Sequence, residues 1–292
     1  MQNNELENIE YDTPNFREGL ETTPVLPQPT PDNPPWNSWV AFAVWILSVV
    51  FIVILPSLVV GIYLFKSGVD FTNKAEFENL IKTDITTNIL SIVAVIPAHI
   101  LTLALAWLVV TNFNKFSFRQ TLGWRFDNFR IWYIFAITAL ILILAAVLTS
   151  IFGEQENELL RILKSSRTAV YLVAFLATFT APLVEEVIYR GILYSAFQRT
   201  FGTITGIFLV TFLFALVHVP QYYPDFVAIS MICLVSLILT IIRARTGNLL
   251  PCIALHFVFN GVQSLLLIFQ PFLERFIEKP QEQTAFFFSL FK

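Results

Sequence analysis

From Trp36 onward the chain alternates long apolar runs with short polar breaks. A helix needs about 20 apolar residues to cross roughly 30 Å of hydrocarbon, because each residue rises about 1.5 Å. The runs 37–65, 87–111, 131–152, 168–182, 203–219, 226–242 and 249–270 fit that description. The shorter ones need tilt or local thinning of the bilayer. One more helical segment, 183–199, is entered through Pro182 and broken after Arg199 near Gly202. No stretch sustains the alternation of a β-strand, so a barrel is not expected. The pattern predicts an all-α, polytopic transmembrane helix bundle of about eight helices.

Composition sharpens this to an integral membrane protein. Apolar residues make up 56% of the 292 and charged residues 13%, with a mean hydropathy of +0.69; a soluble domain carries about 25% charge. The net charge of −3 gives no basic excess for nucleic acid. Cys233 and Cys252 lie in apolar runs without CxxC spacing, as small core residues do. Residues 1–35 are acidic and end in a Pro-rich run, a composition expected to form a disordered tail. It lacks the basic start and early apolar core of a signal peptide. The expected organisation is therefore this tail, N-terminal transmembrane helices over 36–165, a transmembrane core over 166–270, and a C-terminal tail over 271–292. The loop 112–130 carries Lys115, Arg119, Arg125 and Arg130 against Asp127, which the positive-inside rule assigns to the cytoplasm together with the N-terminus. Eight crossings would return the C-terminus to that side and leave Arg243 and Arg245 outside, against the same rule. The cell membrane is the expected location.

The charge that matters is the charge within the apolar stretches. Of the 39 charged residues, 18 basic and 21 acidic, only Glu185, Glu186 and Arg190 lie well inside. All three histidines, His99, His218 and His256, also fall in apolar runs. Ionisable groups at membrane depth are costly and usually face a bundle interior or a water-filled cavity. Glu186 and Arg190, at i and i+4, can pair on one helix face. Glu185 is turned about 100° away and is left for chemistry, although the trio also reads as an ion-pair staple at a helix entrance. His218, before Pro220, reads equally as a cap at a helix C-terminus. His256 and Asn260 share a face one turn apart, able to join helices or to aim donors at a developing oxyanion. His99 has no polar neighbour at helical spacing and stands beside Pro97, where it could bond a carbonyl freed by a kink. A Glu and two His around a water-accessible cavity suit hydrolysis, with Glu as general base directly or through a metal.

Taken in order, Glu185-Glu186-x-x-x-Arg190, Phe214-x-x-x-His218 and His256-x-x-x-Asn260 resemble the CPBP (ABI) family of CAAX proteases and bacteriocin-processing enzymes. Tyr189-Arg190-Gly191 and Pro251 add to the likeness, which covers roughly residues 168–265. The resemblance implies an intramembrane endopeptidase similar to type II CAAX prenyl endopeptidases, acting on membrane or lipidated substrates. It implies Glu185 as the water-activating carboxylate, His218 as holding that water, and His256 and Asn260 as supporting the oxyanion or orienting the water. Glu186 and Arg190 become a supporting pair. Glu185, His218 and His256 would suffice as zinc ligands, but there is no HExxH, and a metal-free glutamate mechanism competes. The alternatives from other classes are a proton- or ion-coupled transporter and a non-catalytic membrane scaffold or immunity protein. Substrate identity and oligomeric state are not determined at this level.

Overall fold

The computed structural model describes residues 28–127 and 129–276, with side chains to 272. Ten helices follow one another: α1 (Ser38–Lys66), α2 (Lys74–Thr83), α3 (Ile85–Val110), α4 (Phe118–Leu122), α5 (Trp132–Phe152), α6 (Glu158–Ser165), α7 (Arg167–Phe201), α8 (Thr203–Tyr222), α9 (Phe226–Thr246) and α10 (Leu250–Phe276). All but α2, α4 and α6 are long and apolar enough to cross a membrane, giving seven candidate spans. No β-strand forms among the described residues. The protein is an all-α, multi-pass integral membrane protein.

The expected segments 168–182 and 183–199 are one helix of 35 residues, α7. Proline normally interrupts a helix because it lacks an amide hydrogen and crowds the preceding turn. Here a π-helical turn at Leu176–Thr180 shifts the ladder, so that the Ala181 amide bonds Leu176 O. Pro182 then sits in the first turn of the resumed α-helix, where its missing donor costs nothing.

One fewer crossing changes the topology. The start of α1 and the end of α10 lie on opposite faces, and Arg243 and Arg245 at the end of α9 share a face with the loop 112–130. Two contacts fix that placement: Asn248 Nδ2 donates to Asp127 O at 3.1 Å, and Leu249 N donates to Gly123 O at 2.8 Å.

The same end is closed by the segment before α1. Residues 1–27 of the expected disordered tail lie outside the described residues, but 28–35 are not a free tail. Arg243, with no exposed side-chain surface, donates to Pro31 O at 2.7 Å and to Asp32 Oδ1 at 3.1 Å. Arg199 donates to Pro34 O at 2.7 Å and Trp36 O at 2.8 Å. Prolines leave carbonyls without competing amides, and arginine forks from α7 and α9 use them. At the other end of the chain, helix α10 continues to Phe276, past the expected boundary at 270; residues 277–292 lie outside the described residues.

Gly123 lies in this packed end. Its φ is +68°, and an added Cβ would lie 2.6 Å from Gly247 O and 2.9 Å from Pro31 Cγ. Gly123→Ala is expected to lower stability by at least about 1–2 kcal/mol, from the left-handed backbone alone, with the clash against backbone adding to it. Thermal unfolding in detergent measures this, and an unchanged midpoint would show that the junction yields freely.

Helix α7 is the centre of the bundle. Residues 186–197 are all buried, and α1, α3, α8, α9 and α10 pack around this stretch and the turn before it. A helix buried on every face belongs to a core, so any polar side chain there must find its partner on a neighbouring helix. The outer helices instead present large apolar side chains such as Phe65, Phe135, Ile151 and Phe208, as lipid contact requires.

Candidate active site

Two close approaches set the level of the site. A Cβ at Gly206 of α8 would lie 3.0 Å from Gln198 N of α7. Counting equally back from 198 to 186 and on from 206 to 218 brings Glu186 and His218 to one height. A Cβ at Gly191 would lie 3.6 Å from Leu249 Cδ2, so His256, a similar distance into α10, arrives there too.

At that level Glu186 and Arg190 form a wholly buried ion pair. Arg190 Nη1 donates to Glu186 Oε1 at 2.9 Å, and neither side chain has exposed surface. Arg190 also donates through Nη2 to Ser236 O at 2.9 Å and Ser236 Oγ at 2.8 Å, and through Nε to Thr240 Oγ1 at 3.3 Å. Its guanidinium carbon lies 4.8 Å from the centre of the Phe214 ring, a cation–π distance. Most of its donors and one ring contact are thus engaged by α7, α8 and α9. Burial of a charge is tolerable only with such pairing and hydrogen bonding.

His256 is held by the same carboxylate. Its Nδ1 lies 2.7 Å from Glu186 Oε1, and a carboxylate accepts, so the proton is on Nδ1. The other ring nitrogen, Nε2, faces Glu185. Glu185 Oε2 lies 3.7 Å from that nitrogen, and the Glu185 side chain is 23% exposed. That separation exceeds a hydrogen bond, and a water bonded to both at about 2.8 Å would sit beside the pair, not between them. Glu185 also interacts electrostatically with His99, Tyr189 and Tyr222, so α3, α7 and α8 all face its carboxylate.

His218 and Asn260 flank this centre. His218 Nδ1 donates to Phe214 O at 2.7 Å, which turns Nε2 away from its own helix backbone. The Phe214 ring stacks on His218 at 4.6 Å and meets His256 edge-on at 6.4 Å, so one aromatic side chain spaces the two imidazoles. Asn260 Nδ2 donates to Ala177 O at 2.8 Å, a carbonyl in the π-helical turn, and keeps a second N–H. Tyr189 OH accepts from Trp45 Nε1 at 3.0 Å, which ties α1 to the same helix. The structure thus brings Glu185, Glu186, Arg190 and His256 into direct association, with His218 and Asn260 attached through Phe214 and the π turn.

Several participants escape a reading by spacing. Ser236 and Thr240 anchor Arg190 from α9, and Phe214, named in the sequence only as a motif position, meets both imidazoles and the guanidinium. His99 bonds a side chain, Thr180 Oγ1 at 2.9 Å, where a freed carbonyl was expected. Its partner is on another helix, so local spacing held no signal beyond a lone ionisable group in an apolar run.

Residues 167–262 match the family model of Rce1-like type II CAAX prenyl endopeptidases. The match covers about a third of the chain, and over that stretch the chain is similar to this family. No curated protein and no solved structure matches it. The matched stretch of the Rce1-like domain runs from the start of α7 into α10 and contains Glu185, Glu186, Arg190, His218, His256 and Asn260; His99 falls outside it. At family level the match supports an intramembrane CAAX-type protease.

Zinc is the cofactor that the donor types of an Rce1-like site would permit. Among the described residues, no three of His, Cys, Asp and Glu form a group that could hold a metal ion. Glu185, His218 and His256, as placed, do not fit one, because Phe214 separates the imidazoles and Glu186 occupies the inner edge of His256.

Proposed function

We propose that this protein hydrolyses a peptide bond of a membrane-associated, lipidated CAAX-type substrate, using Glu185 as the base that activates water. The observation that carries the reading is a partly exposed carboxylate facing Nε2 of a buried histidine whose other nitrogen is fixed by an ion-paired carboxylate. Glu185 takes a proton from water lying beside Glu185 and His256, and the resulting hydroxide forms the new bond to the substrate carbonyl carbon. Nε2 of His256 accepts the one hydrogen the water has left, which orients its lone pair, and His218 lines the neighbouring wall of the site. The remaining N–H of Asn260 is aimed at the oxyanion. Glu185 then returns its proton to the departing amine as the C–N bond breaks. General-base help of this kind contributes typically 10²–10⁴-fold. An isolated carboxylate in hydrocarbon would be costly; the Arg190–Glu186–His256 chain offsets that cost and keeps the field at the site fixed.

The basic residues support an orientation for the bundle. Lys115, Arg119, Arg125, Arg130, Arg199, Arg243 and Arg245 share one end of the bundle, against Asp32 and Asp127. The positive-inside rule favours a cytoplasmic assignment for that end and for the start of α1, in keeping with a substrate anchored on the cytoplasmic face.

The test is cleavage of a prenylated CAAX peptide, its unprenylated counterpart and a transmembrane peptide in proteoliposomes, with products identified by mass spectrometry. Cleavage of the prenylated peptide, unaffected by a chelator, is the expected result. Turnover abolished by chelation and restored by zinc would overturn the metal-free step. A site that cleaves none of the three would overturn the substrate class.

A further inference from the structure

His99 lies on α3, outside the Rce1-like match, yet it reaches the helix turn that carries the catalytic carboxylate. It is 6% exposed in a helix of otherwise apolar character, where an ionisable ring is costly unless it has a task. Its Nδ1 is 2.9 Å from Thr180 Oγ1. The Thr180 hydroxyl hydrogen is directed to Leu176 O at 3.2 Å, so Oγ1 accepts and His99 Nδ1 donates.

Thr180 is the last residue of the π-helical turn Leu176–Thr180, and the α-turn bearing Glu185 and Glu186 starts at the next residue. The same π turn is gripped from the opposite helix by Asn260, through Ala177 O at 2.8 Å. A turn with a shifted ladder has displaced carbonyls and lower intrinsic rigidity than a regular helix, and such turns recur at functional sites. Two cross-helix hydrogen bonds, one from α3 and one from α10, bracket it. Glu185 begins within a helical turn and a half of Thr180, so its carboxylate position follows that of the bracketed turn.

We propose that His99 and Thr180 form a positioning pair that holds the Glu185-bearing turn in register with His256. This rests on the catalytic reading above and extends the working site into the N-terminal half of the chain. Misplacement of a catalytic group by about 1 Å can cost as much as about 100-fold in rate.

Cleavage kinetics in proteoliposomes, with thermal unfolding alongside, test it on His99→Ala, His99→Gln, Thr180→Val and Glu185→Gln. The expected result for His99→Ala and Thr180→Val is a kcat lower by about 10–100-fold, with KM and unfolding midpoint close to wild type. The double variant should be no worse than either single one, since both remove the same bond. His99→Gln, whose amide can still donate to Thr180, should recover most of kcat. Wild-type kcat in His99→Ala with an inactive Glu185→Gln overturns the positioning pair alone. Loss that tracks a lowered midpoint and is not rescued by Gln also overturns it, assigning the bond to helix packing. An active Glu185→Gln overturns the catalytic reading, and the pair with it.

Discussion

Glu185→Gln is expected to reduce kcat/KM for peptide cleavage by about 10²–10⁴-fold, the range that a general base contributes, while leaving the protein as stable as wild type. Glutamine keeps the shape of the side chain and its polar tip, so the packing around a residue that is 23% exposed is preserved. On the proposed mechanism, what disappears is the ability to take a proton from water and give it to the leaving amine. The neighbouring carboxylate cannot substitute. Glu186 is wholly buried and its Oε1 is held by Arg190 at 2.9 Å and His256 at 2.7 Å, so it cannot turn to the water without breaking both bonds. The measurement is steady-state cleavage in liposomes beside a thermal melt in detergent. Activity within a few-fold of wild type would remove Glu185 from the mechanism. A fall in activity matched by a fall in melting temperature would make it a structural residue.

The largest effect on stability is expected at Arg190. Arg190→Ala strands the Glu186 carboxylate with no exposed surface and with Oε2 already lacking a protein partner. It also removes the donors to Ser236 and Thr240. Breaking one side of a buried pair typically costs about 3–5 kcal/mol, whereas replacing both partners by apolar groups can be neutral. The double change Glu186→Leu with Arg190→Met should therefore recover much of the melting temperature lost in Arg190→Ala. It should not recover cleavage, because His256 Nδ1 then has no acceptor and the ring is free to turn. Arg190→Lys should resemble the alanine variant more than wild type: an ammonium cannot reproduce a planar fork reaching α7 and α9 together. Melting in detergent and cleavage in liposomes separate these outcomes. An Arg190→Ala protein that melts within a degree or two of wild type would show that the buried pair contributes little.

Where partners are close in sequence, the site was legible before any coordinates. Glu186 and Arg190 at i, i+4 pair because the helical repeat puts them on one face, and the same repeat sets His256 and Asn260 together on α10. The membrane character followed from the length of the apolar runs. Pro182 was misleading: a proline beside two carboxylates reads as the end of one helix and the start of another, yet the π turn at Leu176–Thr180 carries the chain through it. That difference turned eight crossings into seven, and it resolved the conflict over Arg243 and Arg245.

The sequence by itself determined that this is a helical membrane protein with few ionisable groups inside, and which helix faces those groups share, because both depend on residues within a turn or a run of one another. Only the tertiary structure decided the rest: that His256 is hydrogen-bonded to Glu186 and faces Glu185 across 3.7 Å, that Phe214 stands between the imidazoles, that Ser236 and Thr240 hold Arg190, and that His99 reaches Thr180. Those pairs come from different helices, and their meeting depends on how closely the helices pack around α7. In a bundle interior without water, each buried polar group has to find its partner across that packing.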